Sequence, residues 1–391
     1  MSRSKRIGVI IAIVVVVAVM FTIGFFVWQH FFTYRSVKVE AYKGNVEMER
    51  KGKEKDVFEG LKLIPDDTVT TGKNGKLELM IDTDKHLVAS ENTCFSVNAV
   101  GNANCGRVTI KLKYGQALAK IDKKLAENSE FEIKTPNCTC SVRGTTFEVS
   151  YDKNVKVSHV EVTSGVVRVK AGDETVDLSA GESADVIDDH ITTTFFFGSY
   201  EQDNDLTNGK EPIEWLVLAK KDGRMLLLSK YALDAQSYHM YHEDITWETC
   251  TLRAWLNYGF LNDAFSPEEQ KRILSSTVTA DENPNPNNKS SAGNDTIDKV
   301  FLLSIAEANK YFSSDEARQC YATEYCYQLF SHRYIRDSTR WWWLRTPGSR
   351  KNSDAAVVRN GGDVWETGQG VDTDSHTIRP AIWISDDSAG E

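Results

Sequence analysis

The chain has 391 residues, room for two domains, with 46 Lys and Arg against 56 Asp and Glu and a net charge of −10. That balance argues against a nucleic-acid binder, which needs excess cations to offset phosphate repulsion. A composition of 26% charged and 41% apolar residues excludes wholesale disorder, and 7 Cys are too few for a fold built on disulfides.

From Ile7 to Trp28 no residue is charged, and Ile, Val, Ala and Phe dominate. As a helix this run spans roughly 33 Å, enough for the hydrocarbon core of a bilayer. Arg3, Lys5 and Arg6 precede it, and the next basic residue is Arg35. The positive-inside rule therefore predicts a single-pass transmembrane helix over 7–28, with residues 1–6 cytoplasmic and the remainder extracellular. Trp28, Phe31, Phe32 and Tyr34 form an aromatic belt at the exit. A cleaved signal peptide is the poorer fit, because Phe25-Phe26-Val27-Trp28 stands where small residues are needed.

Residues 36–190 read as short strands. Val37–Tyr42, Leu77–Ile81, Phe131–Ile133 and Phe147–Tyr151 alternate at period two, and Val155–Val169 is dense in Val. Only Lys120–Asn128 has a weak helical pattern. Gly44 leads a strand and then Gly60, Gly165 leads a strand and then Gly181, and Gly115 opens a third strand. This echo predicts stacked hairpins in an all-β sandwich or roll, with a glycine at each turn. Cys94, Cys105, Cys138 and Cys140 are disulfide candidates. Because Cys138 and Cys140 share a strand face, the pattern favours bridges from 94 and 105 to 138 and 140.

Thr135-Pro136, Ser141-Val142-Arg143-Gly144-Thr145-Thr146-Phe147-Glu148-Val149, the Gly60 to Gly72 stretch and Leu178-Ser179-Ala180-Gly181-Glu182 together resemble the FecR domain family. The resemblance implies a non-enzymatic domain outside the cytoplasmic membrane. The best-known members relay a surface signal to a sigma factor through a cytoplasmic segment. Residues 1–6 are too short for that segment, so a FecR-type sigma-factor regulator is an alternative and not the main expectation.

Residues 195–385 differ in composition: of the nine Trp, only Trp28 lies before residue 200. Phe195–Phe197, Ile213–Leu218 and Arg224–Leu228 read as strands, the last two joined by Lys221-Asp222-Gly223. Leu252, Trp255, Leu256 and Phe260 have helical spacing. Ser266-Pro267-Glu268-Glu269 is a capping box opening a helix to Leu274, and Ser304 with Glu307 is a second. Trp341–Arg345, Ala355–Arg359 and Ile378–Ile384 close the chain as strands, giving an α+β domain.

Leu252-Arg253-Ala254-Trp255-Leu256-Asn257, Trp342-Trp343-Leu344-Arg345-Thr346-Pro347-Gly348 and Arg379-Pro380-Ala381 resemble a domain of unknown function found in secreted or membrane-anchored clostridial proteins. The closing pattern is also similar to the C-type-lectin-like fold of formylglycine-generating-enzyme relatives and bacterial variable binding proteins. Calcium-dependent sugar binding does not follow. Asn283-Pro284-Asn285 and Asn285-Pro286-Asn287 lack the first carboxylate, and no Trp-Asn-Asp occurs. Cys320 and Cys326 do not match the reactive pair of the oxidase relatives.

No catalytic motif emerges, so the chain is expected not to be an enzyme and to need no cofactor or metal, with calcium as the one alternative. Asp203-Asn204-Asp205 with Glu214 only faintly echoes an EF-hand calcium loop, since Gly209 falls at the seventh position. His239 and His242 lack a third ligand. The candidate ligand face comprises Arg359, Asn360, Asp363 and Trp365, the turns at Asn360-Gly361-Gly362 and Gly368-Gln369-Gly370, and Asn285 and Asn287 in the long polar loop 280–295. Together these features predict a membrane-anchored extracellular recognition or signal-relay protein with an extracellular glycan or protein ligand. The alternative is a structural component of envelope assembly.

Overall fold

Strict alternation of apolar and polar residues dictates a two-layer β structure in the first half of the chain. The computed structural model describes residues 16–27, 35–101, 105–329 and 338–386. The chain divides into two units, Met1–Thr193 and Thr194–Glu391.

Residues 16–27 are helical, with exposed apolar side chains that include Val16, Phe21, Phe25 and Phe26. The rest of the expected transmembrane segment, 7–15 and Trp28, lies outside the described residues. Among the described residues, no helix is long and apolar enough to cross a membrane.

Two sheets build the first unit. One runs, edge to edge, through Glu174–Ser179, Val166–Ala171, Thr139–Val142, Glu130–Lys134, the first part of Gly106–Ile121, Cys94–Gly101, Thr68–Thr71, Val46–Arg50 and Lys53–Lys55. The other runs through Lys62–Leu63, Val37–Lys43, Lys76–Ile81, Lys85–Ala89, the second part of Gly106–Ile121, Thr146–Asp152, Val157–Ser164 and Glu182–Ile187. One face of each is apolar. Phe95, Ile110, Phe131 and Val167 from one and Leu79, Leu87, Phe147 and Val160 from the other join a single core.

The long strand Gly106–Ile121 belongs to both sheets, and it changes sheet at Gly115, whose φ is +92°. A Cβ there would come within 2.4 Å of Thr93 Cα, so only glycine fits. The repeat expected from sequence has the same origin. Gly44 and Gly165, both at positive φ, each carry the chain from the second sheet to the first.

Two expectations fail in this unit. Lys120 and Ile121 end a strand, and no helix follows them through Asn128. No disulfide joins any of the seven cysteines. The bridges from Cys94 and Cys105 to Cys138 and Cys140 are ruled out by register. Cys94 pairs with Tyr114 while Cys105 precedes Gly106 at the other end of that hairpin, roughly 20 Å away along the strands. Cys140 sits three strands over from the strand of Cys94, about 14 Å across the sheet, against the ~7 Å limit between bridged Cα atoms. Cys138 and Cys140 instead meet each other. The Cys140 thiol hydrogen-bonds the Cys138 sulfur, which lowers the pKa of Cys138 and raises that of Cys140.

The second unit is mainly strands; its longest helical run, 251–264, passes through a π-helical turn at Leu256–Phe260 and carries Leu252, Trp255, Leu256 and Phe260, and its other α-helices have four to seven residues. Its first sheet orders Thr194–Tyr200, Glu211–Lys221, Arg224–Ser229, Ala381–Ser385 and Val300–Phe301, all antiparallel. Its second orders Asp234–Ala235, Thr377–Ile378, Trp342–Pro347, Asp354–Val358 and Val364–Gly370. Both capping boxes form, at Ser266–Glu269 and Ser304–Glu307, although the first helix ends at Arg272.

The motif residues of this unit are clamps. Arg345, only 2% exposed, donates to the carbonyls of Thr279 and Leu302 and pairs with Asp281 and Glu307, tying one end of the 280–295 loop to helix Ile305–Tyr311. Arg379 is buried between the rings of Phe312 and Trp342 and holds the Ser229 carbonyl at 2.7 Å. Arg253 pairs with the buried Asp298, and Asn257 satisfies backbone groups of Arg253, Lys299 and Val300. Trp342 and Trp343 are both fully buried, while Trp341 is half-buried.

Candidate ligand-binding face

The strands Asp354–Val358 and Val364–Gly370 are joined by the turn Arg359–Asp363. Arg359 N donates to Asp363 O at 3.0 Å and Gly362 N to Arg359 O at 2.8 Å. Gly362, at φ +88°, is wedged against helix Asp315–Arg318, where a Cβ would meet the Asp315 carbonyl oxygen at 1.6 Å. Arg318, mostly buried, donates to Gly362 O at 2.9 Å and is itself paired with Asp315. The turn is therefore held in one conformation from beneath.

On this base Arg359 reaches Asp363 Oδ2 through Nε at 2.6 Å, and its guanidinium lies 5.6 Å from the Trp365 ring centroid. Trp365 meets Trp341 edge to face, centroids 5.5 Å apart. His376 packs behind, 5.3 Å from the ring of Trp341 and 4.6 Å from that of Trp343. Its Nε2 is buried without a hydrogen-bond partner, and desolvation lowers its pKa, so the imidazole stays neutral. Half-buried indoles beside an ion-paired guanidinium offer flat apolar area and directed N–H donors. Such a surface stacks on a ring or a planar group and has no proton-transfer chemistry of its own.

The structure divides the expected ligand residues. Arg359, Asp363 and Trp365 come together. Asn360 is exposed on the turn, its carbonyl accepting from Thr339 Oγ1 at 2.7 Å. Asn285 instead donates to Glu366 Oε2 at 3.1 Å and accepts from Asn287 N at 2.9 Å. Glu366 follows Trp365 on one strand, and successive side chains leave opposite faces, so Asn285 and Asn287 stand apart from the aromatic cluster. The 280–295 loop is ordered at its base by the pairing of Ser276–Val278 with Thr296–Asp298. Buried Asn283 donates to Pro347 O and Glu366 O, both at 2.8 Å. Gly368-Gln369-Gly370 is not a turn. It lies within the strand at a bulge, with Gly368 at φ +81°.

His239 and His242 do not converge: His239 Nε2 contacts Glu243 and His242 Nδ1 contacts Asp372, each at 2.8 Å. Glu214 turns away from the Asp203 loop and pairs with Lys230 at 2.8 Å, so the EF-hand spacing assembles nothing. Trp341 and His376 were not expected at the face. The register that pairs the strand Trp342–Pro347 in parallel with Thr377–Ile378 brings His376 there, and no local pattern encodes a parallel pairing so far apart in sequence.

Comparison with known families is consistent with this division. The family described as FecR protein matches residues 67–168. A domain of unknown function, DUF6273, matches residues 222–386. Two crystal structures of a candidate anti-sigma factor from Parabacteroides distasonis are similar at 13% identity and a TM-score of 0.29, each covering 34% of this chain and 68% of the other. No curated protein matches. None of these comparisons carries the C-type-lectin-like likeness expected for the second unit. The chain thus combines a FecR domain with a C-terminal DUF6273 domain.

Proposed function

We propose that this protein is a single-pass membrane protein whose DUF6273 unit recognises an extracellular glycan or protein and whose FecR unit mounts that unit and relays the signal. The observation that carries the reading is the exposed side of the Trp341–Trp365–Arg359 cluster on a turn braced by Gly362 and Arg318. Rigid aromatic area beside a guanidinium is the composition of binding hot spots. The uncharged run from Ile7 to Trp28 behind three cations supports the anchor, and the FecR match supports the relay. The proposed role is binding without catalysis, and it calls for no cofactor and no nucleic acid.

The test is a binding screen of the detergent-solubilised full chain against cell-wall glycans and envelope proteins. The reading expects a ligand whose affinity drops at least about tenfold on Trp365→Ala or Arg359→Ala. A ligand indifferent to both changes refutes the assigned face. Association only with membrane complexes of its own favours a structural component of envelope assembly. Labelling of single-cysteine variants on intact cells tests orientation: reagent should reach position 390 and not position 4.

A further inference from the structure

We propose that the loop between the strands His190–Tyr200 and Glu211–Lys221 binds one calcium ion through the carboxylates of Glu201, Asp203 and Glu211. The site is independent of the aromatic face, and none of its geometry depends on what that face binds.

Tyr200 pairs with Glu211 across the last rung of the hairpin, which sets Glu201 and Glu211 side by side where the loop opens. One carboxylate oxygen from each of Glu201, Asp203 and Glu211 lies within 4.8 Å of the others. Two oxygens on opposite sides of a calcium ion at ~2.4 Å are ~4.8 Å apart, so the three fit one coordination sphere. The donors are all oxygen, which suits a hard cation and not zinc or copper.

Glu201 is the observation that asks for a ligand. It is 7% exposed, and its Oε1 is buried with no hydrogen-bond partner. A buried carboxylate beside two others is costly unless a cation joins them. Among the described residues, no ion pair involves any of the three. The nearest candidate in sequence, Lys210, is engaged by Asp263 at 2.6 Å.

The loop already holds its ligands in place. Asp203 Oδ1 accepts from Asp205 N at 2.8 Å and Oδ2 from Asn208 Nδ2 at 2.7 Å, while Glu211 Oε2 accepts from Gln202 N at 2.7 Å. Glu211 Oε2 also accepts from Asp203 N at 3.3 Å, which fills it and leaves Oε1 for a metal, while each Asp203 oxygen keeps a second lone pair. Asn204 at φ +64° and Gly209 at φ +102° curl the loop around the open side, where water completes the sphere.

The experiment is calorimetric titration of the chelator-stripped full chain with CaCl2, with thermal unfolding followed in parallel. We expect one site with Kd in the ~10⁻⁴–10⁻³ M range and a higher Tm in millimolar calcium. Asp203→Asn and Glu211→Gln should each weaken binding at least about tenfold, and Glu214→Gln, whose carboxylate faces Lys230, should leave it unchanged. Asp203 is exposed, so its variant is expected to fold even if Glu201→Gln does not. Absence of saturable calcium uptake by the wild type, or full uptake by Asp203→Asn, overturns the site. An equal response to magnesium overturns the choice of calcium.

Discussion

The two units solve the same problem, burying a β-rich core, by different means. In the first, alternation does nearly everything. The strands Lys76–Ile81 and Thr146–Asp152 bury every second residue, and the chain changes sheet at glycines. In the second, alternation is weak. Trp342–Pro347 is buried at every position, and the elements are tied by arginines that reach backbone carbonyls and carboxylates. The first unit is thus coded by a pattern, and the second by particular residues.

That contrast can be broken by mutation. The largest effect is expected from Phe131→Ala, which opens a cavity in the first core and should cost ~3–5 kcal/mol. Arg345→Met should cost ~3 kcal/mol in the second unit by leaving Asp281, Glu307 and two carbonyls without their partner. Eight of the nine tryptophans lie beyond residue 200, so tryptophan fluorescence reports the second unit. Arg345→Met should lower the fluorescence Tm by roughly 6–12 °C, and Phe131→Ala should shift only the transition seen by far-UV circular dichroism. A shift of the fluorescence transition by Phe131→Ala would show that the two cores are not separate.

A smaller effect is expected from Gly115→Ala, at ~2 kcal/mol from left-handed strain plus contact with Thr93. Equilibrium denaturation measures it, and an unchanged midpoint would remove the glycine-crossover explanation. The smallest effect is a pH dependence in the second unit. Burial lowers the pKa of His376 from 6.5, so the unfolded chain takes up a proton at a higher pH than the folded one. Stability from this group is therefore full above pH 6.5 and falls as the pH drops below it. His376→Phe should flatten that slope, and an unaltered slope would mean that the imidazole is not buried neutral.

The same contrast explains what was legible in the sequence. Period-two runs announced the first unit's strands, and two capping boxes announced helices in the second, because those signals are local. The crossover role of Gly44, Gly115 and Gly165 was half visible: the repeat was present, but not that each glycine changes sheets. The cysteine pairing misled because sharing a strand face says nothing of which strands intervene. Arg359, Asp363 and Trp365 were found together because they lie within seven residues on one hairpin. Trp341 joins them through the antiparallel register of Trp342 with Val358, and His376 only through a parallel pairing. Glu201 and Glu211 were hidden behind a spacing that pointed to Glu214, since hairpin register decides which carboxylates face the loop.

The most direct measurement of the central claim is hydrogen–deuterium exchange by mass spectrometry, comparing the full chain alone and with solubilised cell-envelope extract. Recognition through the braced aromatic face predicts new protection in peptides covering Trp341, Arg359–Glu366 and the neighbouring Asp315–Arg318 helix, with little change across 37–187. Protection confined to the FecR unit, or spread evenly over both units, would contradict it.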